Sequence, residues 1–290
     1  MVKEFVSWVK LLYSSPKASV ITNRLNSEYF NLHRGTHQGC PLSQLLFALA
    51  IEPLSIALKT SPNISGILRW GTEHKVSLYA DDLLVYISDP AKSAQALIEI
   101  LRQFGPFSGH KLNFAKSECF PFNNLATETP EMQLPFHKCN SEFKYLDIYI
   151  TRKYEHLYDR NFSPLLIKIK EDFDRWKTIY FSLAGRVNAI KMNILPRFLY
   201  LFQCLPLFLP KLLFTTLDKL ITGFLWGNKL PRINKVMLQR HRTQGGLSLP
   251  NFRFYYWAAN IQKIMYWIKF PRINWCLIEA YSCPSCSLVF

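Results

Sequence analysis

The 290-residue sequence predicts an α+β fold, in which strands and helices mix in the first half and helices dominate the second. Two apolar runs flank a tight polar turn in KVSLYADDLLVYIS at 75–88, a pattern typical of antiparallel hairpins. From about Asn161 onward, apolar residues recur at helical spacing. Hydrophobic residues make up 49% of the chain, which is enough for a sizeable core and excludes a disordered protein. We expect a mixed domain at 1–150 and a helical domain at 151–290.

The elements of the mixed half each have a local signal. Val2–Tyr13 carries apolar residues at helical spacing, which predicts an amphipathic helix. Two short strands are expected around the polar turn at 23–27. Pro41 suits the first turn of a helix whose leucines share one face, and Pro53 is expected to kink or divide that helix. Another helix is predicted at Ala91–Phe104, with further strands after it.

The chain carries a large surplus of positive charge, with 35 Lys and Arg against 20 Asp and Glu and a formal net charge of +15. Such a surplus requires an anionic partner, usually nucleic acid or an anionic membrane surface. The most apolar stretch, at 194–214, contains three prolines together with Arg197 and Lys211. Because a spanning helix needs roughly 20 apolar residues, we expect buried, broken helices there and no membrane partner.

Seven cysteines are scattered along the chain without the spacing of a disulfide framework. This distribution favours a reducing compartment with free thiols. We therefore expect an intracellular protein, in the cytoplasm or the nucleus, that is not secreted. Cys283 and Cys286 form a lone CxxC pair, which supplies too few ligands for a structural zinc site.

Two adjacent carboxylates, Asp81 and Asp82, follow Tyr79 and Ala80 between the two apolar runs at 75–88. Adjacent carboxylates repel each other, and burying either one unpaired is unfavourable. A divalent cation such as Mg²⁺ removes that penalty, because hard cations prefer oxygen ligands. From these residues alone, a solvated hairpin turn remains the alternative.

A glycine-rich loop, RGTHQGCPLS at 34–43, precedes the helix that is predicted to begin at Pro41. Gly35 and Gly39 permit close approach of the backbone to a ligand, and a helix N-terminus is a natural phosphate site. Gln38 offers both a donor and an acceptor to base or sugar edges. The alternative is an ordinary connection between a strand and a helix.

The order of the loop, the helix and the carboxylate hairpin resembles the reverse transcriptase of LINE-type non-LTR retrotransposons. RGTHQGCPLSQLLF is similar to the loop-helix motif of the family's palm, YADD to its catalytic hairpin, and FSGHKLNFAKSE to the strand and turn that follow. FKYLDIYI resembles the primer-grip hairpin, with Asp147 where the family usually has glycine. LAGRVNAIKMNILPRFLY and QGGLSLPNFRFYYWAAN resemble the thumb and the region after it. The resemblance implies a partial polymerase palm followed by a mostly α-helical thumb and C-terminal region.

The resemblance also implies roles for the matching residues. Asp81 and Asp82 would hold the Mg²⁺ ions of a two-metal transfer in which a primer 3′-hydroxyl attacks an incoming nucleotide. Lys116, with Lys111 as the second choice, would protonate the pyrophosphate leaving group. An RNA template and a DNA primer are the implied partners, with no specific protein partner. Nucleotide and template contacts would come from Arg34, Gly35, Gln38, Gly39, Tyr79 and Ala80.

One departure from the family pattern bears on activity. The family uses another metal-binding aspartate, from a strand upstream of the glycine-rich loop, whereas residues 1–33 contain Glu4 and Glu28 but no aspartate. Two carboxylates on one hairpin cannot readily hold two metals at the separation that in-line transfer requires. We therefore expect a truncated domain that is inactive alone. The alternatives are a non-catalytic nucleic-acid-binding remnant and a decayed reading frame whose product barely folds.

A basic aromatic segment covers residues 219–278, which contain ten Lys and Arg, eleven aromatic residues, and neither Asp nor Glu. Basic side chains interleaved with aromatic ones suit phosphate contacts and base stacking. Most of the aromatic residues are nevertheless expected to be core residues, among them Phe252, Tyr255, Tyr256, Tyr266 and Trp267. The candidates for phosphate contacts are Lys229, Arg232, Lys235, Arg240 and Arg242.

Overall fold

A computed structural model describes residues 2–33, 39–69, 71–109, 111–122 and 135–270 of the chain, which divides into two units. The units are Met1–Ile67 with His74–Leu112, and Leu68–Glu73 with Asn113–Phe290. The predicted α+β class is confirmed, because short strand pairs accompany helices in the described part of the chain. The predicted domain boundary after residue 150 stays a prediction, since compact units and functional domains need not coincide.

The strands are short, and the described residues form two-stranded sheets. Their bounds are β1 (Lys17–Ala18), β2 (Ile21–Thr22), β3 (Leu25–Asn26), β4 (Phe30–Asn31), β5 (Ile67–Arg69), β6 (Thr72–His74), β7 (Val76–Tyr79), β8 (Asp82–Val85), β9 (Glu118–Cys119), β10 (His137–Lys138), β11 (Glu142–Tyr145) and β12 (Ile148–Thr151). The pairs β1–β4, β2–β3, β7–β8 and β11–β12 are antiparallel, whereas β9 and β10 are parallel.

Helices account for most of the second half of the chain, as the apolar spacing predicts. Their bounds are α1 (Val2–Leu12), α2 (Pro41–Thr60), α3 (Pro90–Ser108), α4 (His156–Trp176), α5 (Leu183–Ala189), α6 (Leu195–Cys204), α7 (Lys211–Trp226), α8 (Lys235–Gln239) and α9 (Phe252–Lys269). A π-helical turn at Ile190–Ile194 joins α5 to α6, and a 3₁₀ turn covers Arg242–Gln244.

The core of the first unit lies between α2 and α3, which pack against each other. Ile51, Leu54 and Leu58 of α2 and Leu97 of α3 are buried there. The helix α2 also packs against β7, so it supports the hairpin that follows. Pro53 does not divide α2, which is continuous from Pro41 to Thr60.

Local sequence fixes both ends of α3. The Asp89 side chain accepts a hydrogen bond from the backbone N–H of Lys92 at 3.2 Å, and Pro90 occupies the first helical turn. This arrangement satisfies one of the free N–H groups at the start of a helix. Gly109 ends the helix with a φ of +71°, a left-handed conformation that favours glycine. The helix therefore extends beyond the predicted Phe104 to Ser108.

The second unit contains the larger core, built mainly from α4 to α7 and α9. Phe162, Phe198 and Phe202 are almost fully buried and pack ring against ring. Phe173 of α4 stacks on Phe224 of α7, with 4.5 Å between the ring centroids. Aromatic rings of α4, α6 and α7 thus form the centre of this core.

The apolar stretch at 194–214 is confirmed as broken helix that is mostly buried, although Phe208 and Leu212 are exposed. α6 ends at Cys204, and residues 205–210 are not helical before α7 begins at Lys211. Ahead of α6, the Leu195 N–H donates to the Ile190 carbonyl, five residues back. This wider turn precedes Pro196, which has no N–H to donate to a helical partner.

Among the described residues, one helix is long and apolar enough to cross a membrane by length and composition alone. This helix is α2, and 28% of its most apolar window is buried inside the structure. Core helices of soluble proteins meet the same criterion, so a single helix of this kind is weak evidence for a membrane protein.

A buried asparagine fastens the β11–β12 hairpin to α4. The Asn161 side chain accepts a hydrogen bond from the Tyr149 N–H at 2.9 Å and donates to the Tyr149 carbonyl at 2.8 Å. It also donates to the Leu157 carbonyl at 2.9 Å. Because one side chain satisfies both backbone groups of Tyr149, it holds β12 against α4 at a fixed register.

Replacing Asn161 by alanine is expected to lower the free energy of unfolding of the second unit by about 1–3 kcal/mol, because the Tyr149 backbone groups lose their partners. Amide exchange at Tyr149 should accelerate as the hairpin loosens. Asn193→Ala is the matched control, since Asn193 is exposed and its side chain donates only within its own helical segment. An Asn161→Ala variant as stable as Asn193→Ala, with unchanged exchange at Tyr149, would contradict the proposed anchor.

Candidate functional site

The two adjacent carboxylates lie at the tip of the β7–β8 hairpin. Tyr79 pairs with Asp82, which leaves Ala80 and Asp81 as the two-residue connection. Ala80 has a φ of +51°, a left-handed conformation that is uncommon for a residue with a Cβ atom. Such strained positions concentrate at functional sites. Tyr79, Ala80, Asp81 and Asp82 are all exposed, so the hairpin presents its carboxylates to solvent.

The base of this hairpin is tied to the rest of its unit. Ser77 and Tyr86 share a hydrogen bond between their hydroxyl groups at 3.1 Å, across the two strands. The Lys75 ammonium donates to the Ser61 carbonyl, just past the end of α2, at 2.9 Å. The tip therefore projects from an anchored base, and Asp81 and Asp82 are held close together by the chain itself.

The exposure of Asp81 and Asp82 corrects one step of the sequence argument. No burial penalty compels a cation here, because water solvates both side chains. An exposed pair nevertheless suits Mg²⁺, because this ion keeps several waters and is commonly held by one or two carboxylates plus substrate phosphates. In the part of the chain that the structure describes, no further Asp, Glu, His or Cys completes a three-ligand cluster with this pair. Within the described residues, Asp81 and Asp82 therefore supply two carboxylates without a third clustered ligand, which is fewer ligands than two ions require.

The glycine-rich loop is described only at its end, because Arg34, Gly35 and Gln38 lie outside the described residues. Gly39 has a φ of +89°, which favours glycine, and no atom lies within 4 Å of where a Cβ would be. It leads directly into α2 with Pro41 in the first turn, as predicted.

The start of α2 stabilises negative charge. A hydrogen bond from the backbone N–H of Leu42 lowers the pKa of the Cys40 thiol. The same free N–H groups at a helix N-terminus favour anions in general. The phosphate contact that the sequence predicts for the loop stays a prediction.

Lys116 is exposed in a short turn that precedes β9. Its backbone N–H donates to the Asn113 side chain at 3.2 Å, and its ammonium group is available to solvent. Lys116 belongs to the second unit, whereas Lys111, Asp81 and Asp82 belong to the first. The assignment of the pyrophosphate-protonating lysine stays a prediction.

Four of the five predicted phosphate contacts are exposed, and one is paired. Lys229, Arg232, Arg240 and Arg242 are exposed. Lys235 is half-buried, and its ammonium forms an ion pair with the Asp218 carboxylate at 2.6 Å. Asp218 lies one residue before the basic aromatic segment and pairs with a lysine inside it. This ion pair reduces the positive charge that Lys235 offers to a phosphate.

Arg186 is a basic residue beside this segment that sequence reasoning missed. With Lys229 and Arg232, it lines a cavity of about 190 Å³ at the C-terminal end of α7. Its guanidinium donates to the Phe224 and Leu225 carbonyls at 2.8 and 3.0 Å and lies over the Phe224 ring. Cations are favourable at a helix C-terminus, where carbonyl groups lack helical partners. Arg186 thus binds the C-terminal end of α7, next to the exposed Lys229 and Arg232.

The expectation that most aromatic residues of the basic segment are core residues is partly wrong. Phe252 is buried and Tyr256 is half-buried against the same core, as predicted. Tyr255 and Tyr266, which were expected in the core, are exposed on α9, together with Phe254 and Trp257. A helix with aromatic residues on most of its turns cannot bury every face, because only one side contacts the core.

Comparison with known proteins shows the family to which the chain belongs. Residues 2–150 match the family described as reverse transcriptase (RNA-dependent DNA polymerase). Because the match covers half of the chain, the chain belongs to the reverse transcriptase family. Membership implies a divalent metal cofactor and nucleic-acid substrates.

Two relatives come from mobile elements. The transposon TX1 uncharacterized 149 kDa protein of Xenopus laevis is 25% identical over 286 residues, which are 96% of this chain and 21% of the relative. The retrovirus-related Pol polyprotein from type-2 retrotransposable element R2DM of Drosophila melanogaster is 28% identical over 160 residues, which are 51% of this chain and 15% of the relative. The chain thus spans about a fifth or less of these relatives. The resemblance to LINE-type non-LTR reverse transcriptases is confirmed.

Proposed function

We propose that this chain supplies the catalytic hairpin and the nucleic-acid-binding thumb of an RNA-directed DNA polymerase. Residues 1–150 act as a partial palm, and residues 151–290 act as the thumb and C-terminal region. The substrates are an RNA template and a DNA primer, joined as a hybrid. The observation that carries the proposal is the exposed pair of adjacent carboxylates at the tip of an anchored hairpin, within the part of the chain that matches the family.

The proposed roles follow from the chemistry of each side chain. Asp81 and Asp82 hold Mg²⁺, which when bound would stabilise negative charge on the phosphates of the incoming nucleotide. Tyr79 and Ala80 form the floor on which the primer end and nucleotide rest. Lys116 gives a proton to the pyrophosphate leaving group. Gly39, together with Arg34, Gly35 and Gln38, contacts the nucleotide and template through the loop before α2.

We further propose that a polypeptide of these 290 residues grips primer–template without extending it. Residues 1–80 contain no aspartate. In the described part of the hairpin unit, no third ligand clusters with Asp81 and Asp82. In-line transfer, by contrast, is commonly catalysed by two metal ions. A non-catalytic nucleic-acid-binding protein is therefore the second candidate function. The exposed cations Lys229, Arg232, Arg240 and Arg242 favour it, because charge alone supports binding.

Primer extension with purified chain, an RNA template, a DNA primer, Mg²⁺ and deoxynucleotides separates the two functions. We expect no extension above an Asp81→Asn control, while fluorescence anisotropy of the same primer–template shows binding that weakens steeply with salt. Asp81→Asn preserves side-chain size and removes the charge needed for the metal. Extension that the Asp81→Asn variant lacks would show that the chain is an active polymerase. Failure to bind the hybrid would contradict both functions.

A further inference from the structure

Three potential metal ligands meet where β9 and β10 pair. The two strands are parallel, with His137 opposite Glu118. Cys139 follows β10, and its N–H donates to the Cys119 carbonyl at 2.9 Å, which continues the strand pairing by one residue. Side chains alternate along a strand, so Glu118, His137 and Cys139 project to the same side. One ligand atom of each lies within 4.8 Å of the other two.

The distances suit a small tetrahedral ion. Zinc bonds of about 2.0–2.3 Å place neighbouring ligand atoms roughly 3.3–3.8 Å apart in a tetrahedron. The Nδ1 atom of His137 and the Sγ atom of Cys139 are 3.4 Å apart. The Glu118 oxygen, within 4.8 Å of both, needs only a small side-chain movement to complete the face.

The ligand chemistry selects zinc over the hard cations. Imidazole nitrogen, thiolate sulfur and carboxylate oxygen are the three donor types that zinc uses, whereas Mg²⁺ and Ca²⁺ bind oxygen. Three protein ligands leave a fourth position for water, which is accessible because Glu118 and His137 are exposed. Among the described residues, this is the cluster of three or more such side chains that could hold a metal ion.

We propose that Glu118, His137 and Cys139 bind a zinc ion that joins β9 to β10, with water as the fourth ligand. Binding replaces the thiol proton of Cys139, which is released to solvent, because the thiolate is the ligand form. The ion connects two strands of two residues each, whose hydrogen bonds alone provide little stability. This site belongs to the second unit and does not depend on the function proposed above for the carboxylate hairpin.

Cobalt titration of the metal-free full-length chain tests the proposal. Cys276, Cys283 and Cys286 are replaced by serine in every sample, because these three cysteines lie close together in sequence and could bind cobalt themselves. We expect one equivalent of Co²⁺ to produce a thiolate-to-cobalt charge-transfer band in the near ultraviolet, and stoichiometric Zn²⁺ to abolish it. Cys139→Ser should eliminate the band, and His137→Ala should weaken binding by more than about tenfold.

Cys119→Ser is the matched control, because this cysteine is adjacent to Glu118 but projects to the opposite side of the strand pair. Its variant should keep the band and the affinity. Glu118→Gln keeps both the cysteine sulfur and the histidine ring. This variant should still show the thiolate-to-cobalt band but should bind Co²⁺ with lower affinity. Absence of a thiolate–cobalt band in the parent, or its equal loss in Cys119→Ser and Cys139→Ser, would overturn the proposal. Far-ultraviolet circular dichroism of each metal-free variant verifies that the chain is folded.

Discussion

Phe162→Ala is expected to lower the free energy of unfolding of the second unit by about 3–5 kcal/mol, the range found for truncating a buried aromatic side chain. Only 1% of Phe162 is exposed. Its ring packs against Tyr158, Phe198 and Phe202, with centroids 5.6, 6.5 and 6.2 Å away. Truncation removes these contacts and leaves a cavity between α4 and α6, because the neighbouring rings cannot all move to fill it.

Urea unfolding followed by circular dichroism measures this loss. Phe208→Ala is the matched control, since 93% of Phe208 is exposed, and it should change the free energy of unfolding by less than about 0.5 kcal/mol. The comparison also tests the decayed-reading-frame alternative. A chain without a cooperative core would show similar, broad transitions for both variants and would refute the packing described here.

Neutralising the four exposed cations of the basic segment is expected to weaken binding to an RNA–DNA hybrid far more than any single substitution. The variant carries glutamine at Lys229, Arg232, Arg240 and Arg242. Each phosphate contact contributes about 0.7–0.9 to the slope of log affinity against log salt, so the slope should fall by about three units. Between about 50 and about 200 mM salt, the parent should lose on the order of a hundredfold more affinity than the variant.

Two controls separate phosphate contact from loss of net charge. Replacing Lys3, Lys10, Lys168 and Lys170 by glutamine removes the same four charges from exposed positions elsewhere. Lys235→Gln removes a cation that already pairs with Asp218. Both controls should reduce the salt slope less than the four-residue variant does. If the variant with glutamine at Lys3, Lys10, Lys168 and Lys170 loses as much affinity as the four-residue variant of the basic segment, binding depends on total charge and not on that segment.

The local features of the candidate site were predictable from sequence. The hairpin around Asp81 and Asp82 follows from two apolar runs and a two-residue polar connection, and Pro41 marks the start of α2. These patterns act over a few residues, so they survive without knowledge of the rest of the fold. The exposure of Asp81 and Asp82 could not be predicted, because the sequence does not specify the environment of a hairpin tip.

Features that depend on distant pairing were not predictable. The aromatic spacing of α9 did not indicate which face the core would occupy, and Tyr255 and Tyr266 proved exposed. Nor did the absence of acidic residues in the basic segment indicate that Asp218, one residue before it, pairs with Lys235. In both cases the outcome depends on how separate elements pack against each other.

The sequence by itself determined the family, the class of fold and the position of the carboxylate pair, because motifs and apolar periodicity are properties of short stretches of chain. Only the tertiary structure decided that Lys235 pairs with Asp218, that Arg186 binds carbonyl groups at the end of α7, and that Glu118 and His137 lie side by side. The physical reason is that contacts between residues far apart in sequence form only when the loops between them close and the intervening elements pack. Such closure is a property of the whole fold, and no local pattern encodes it.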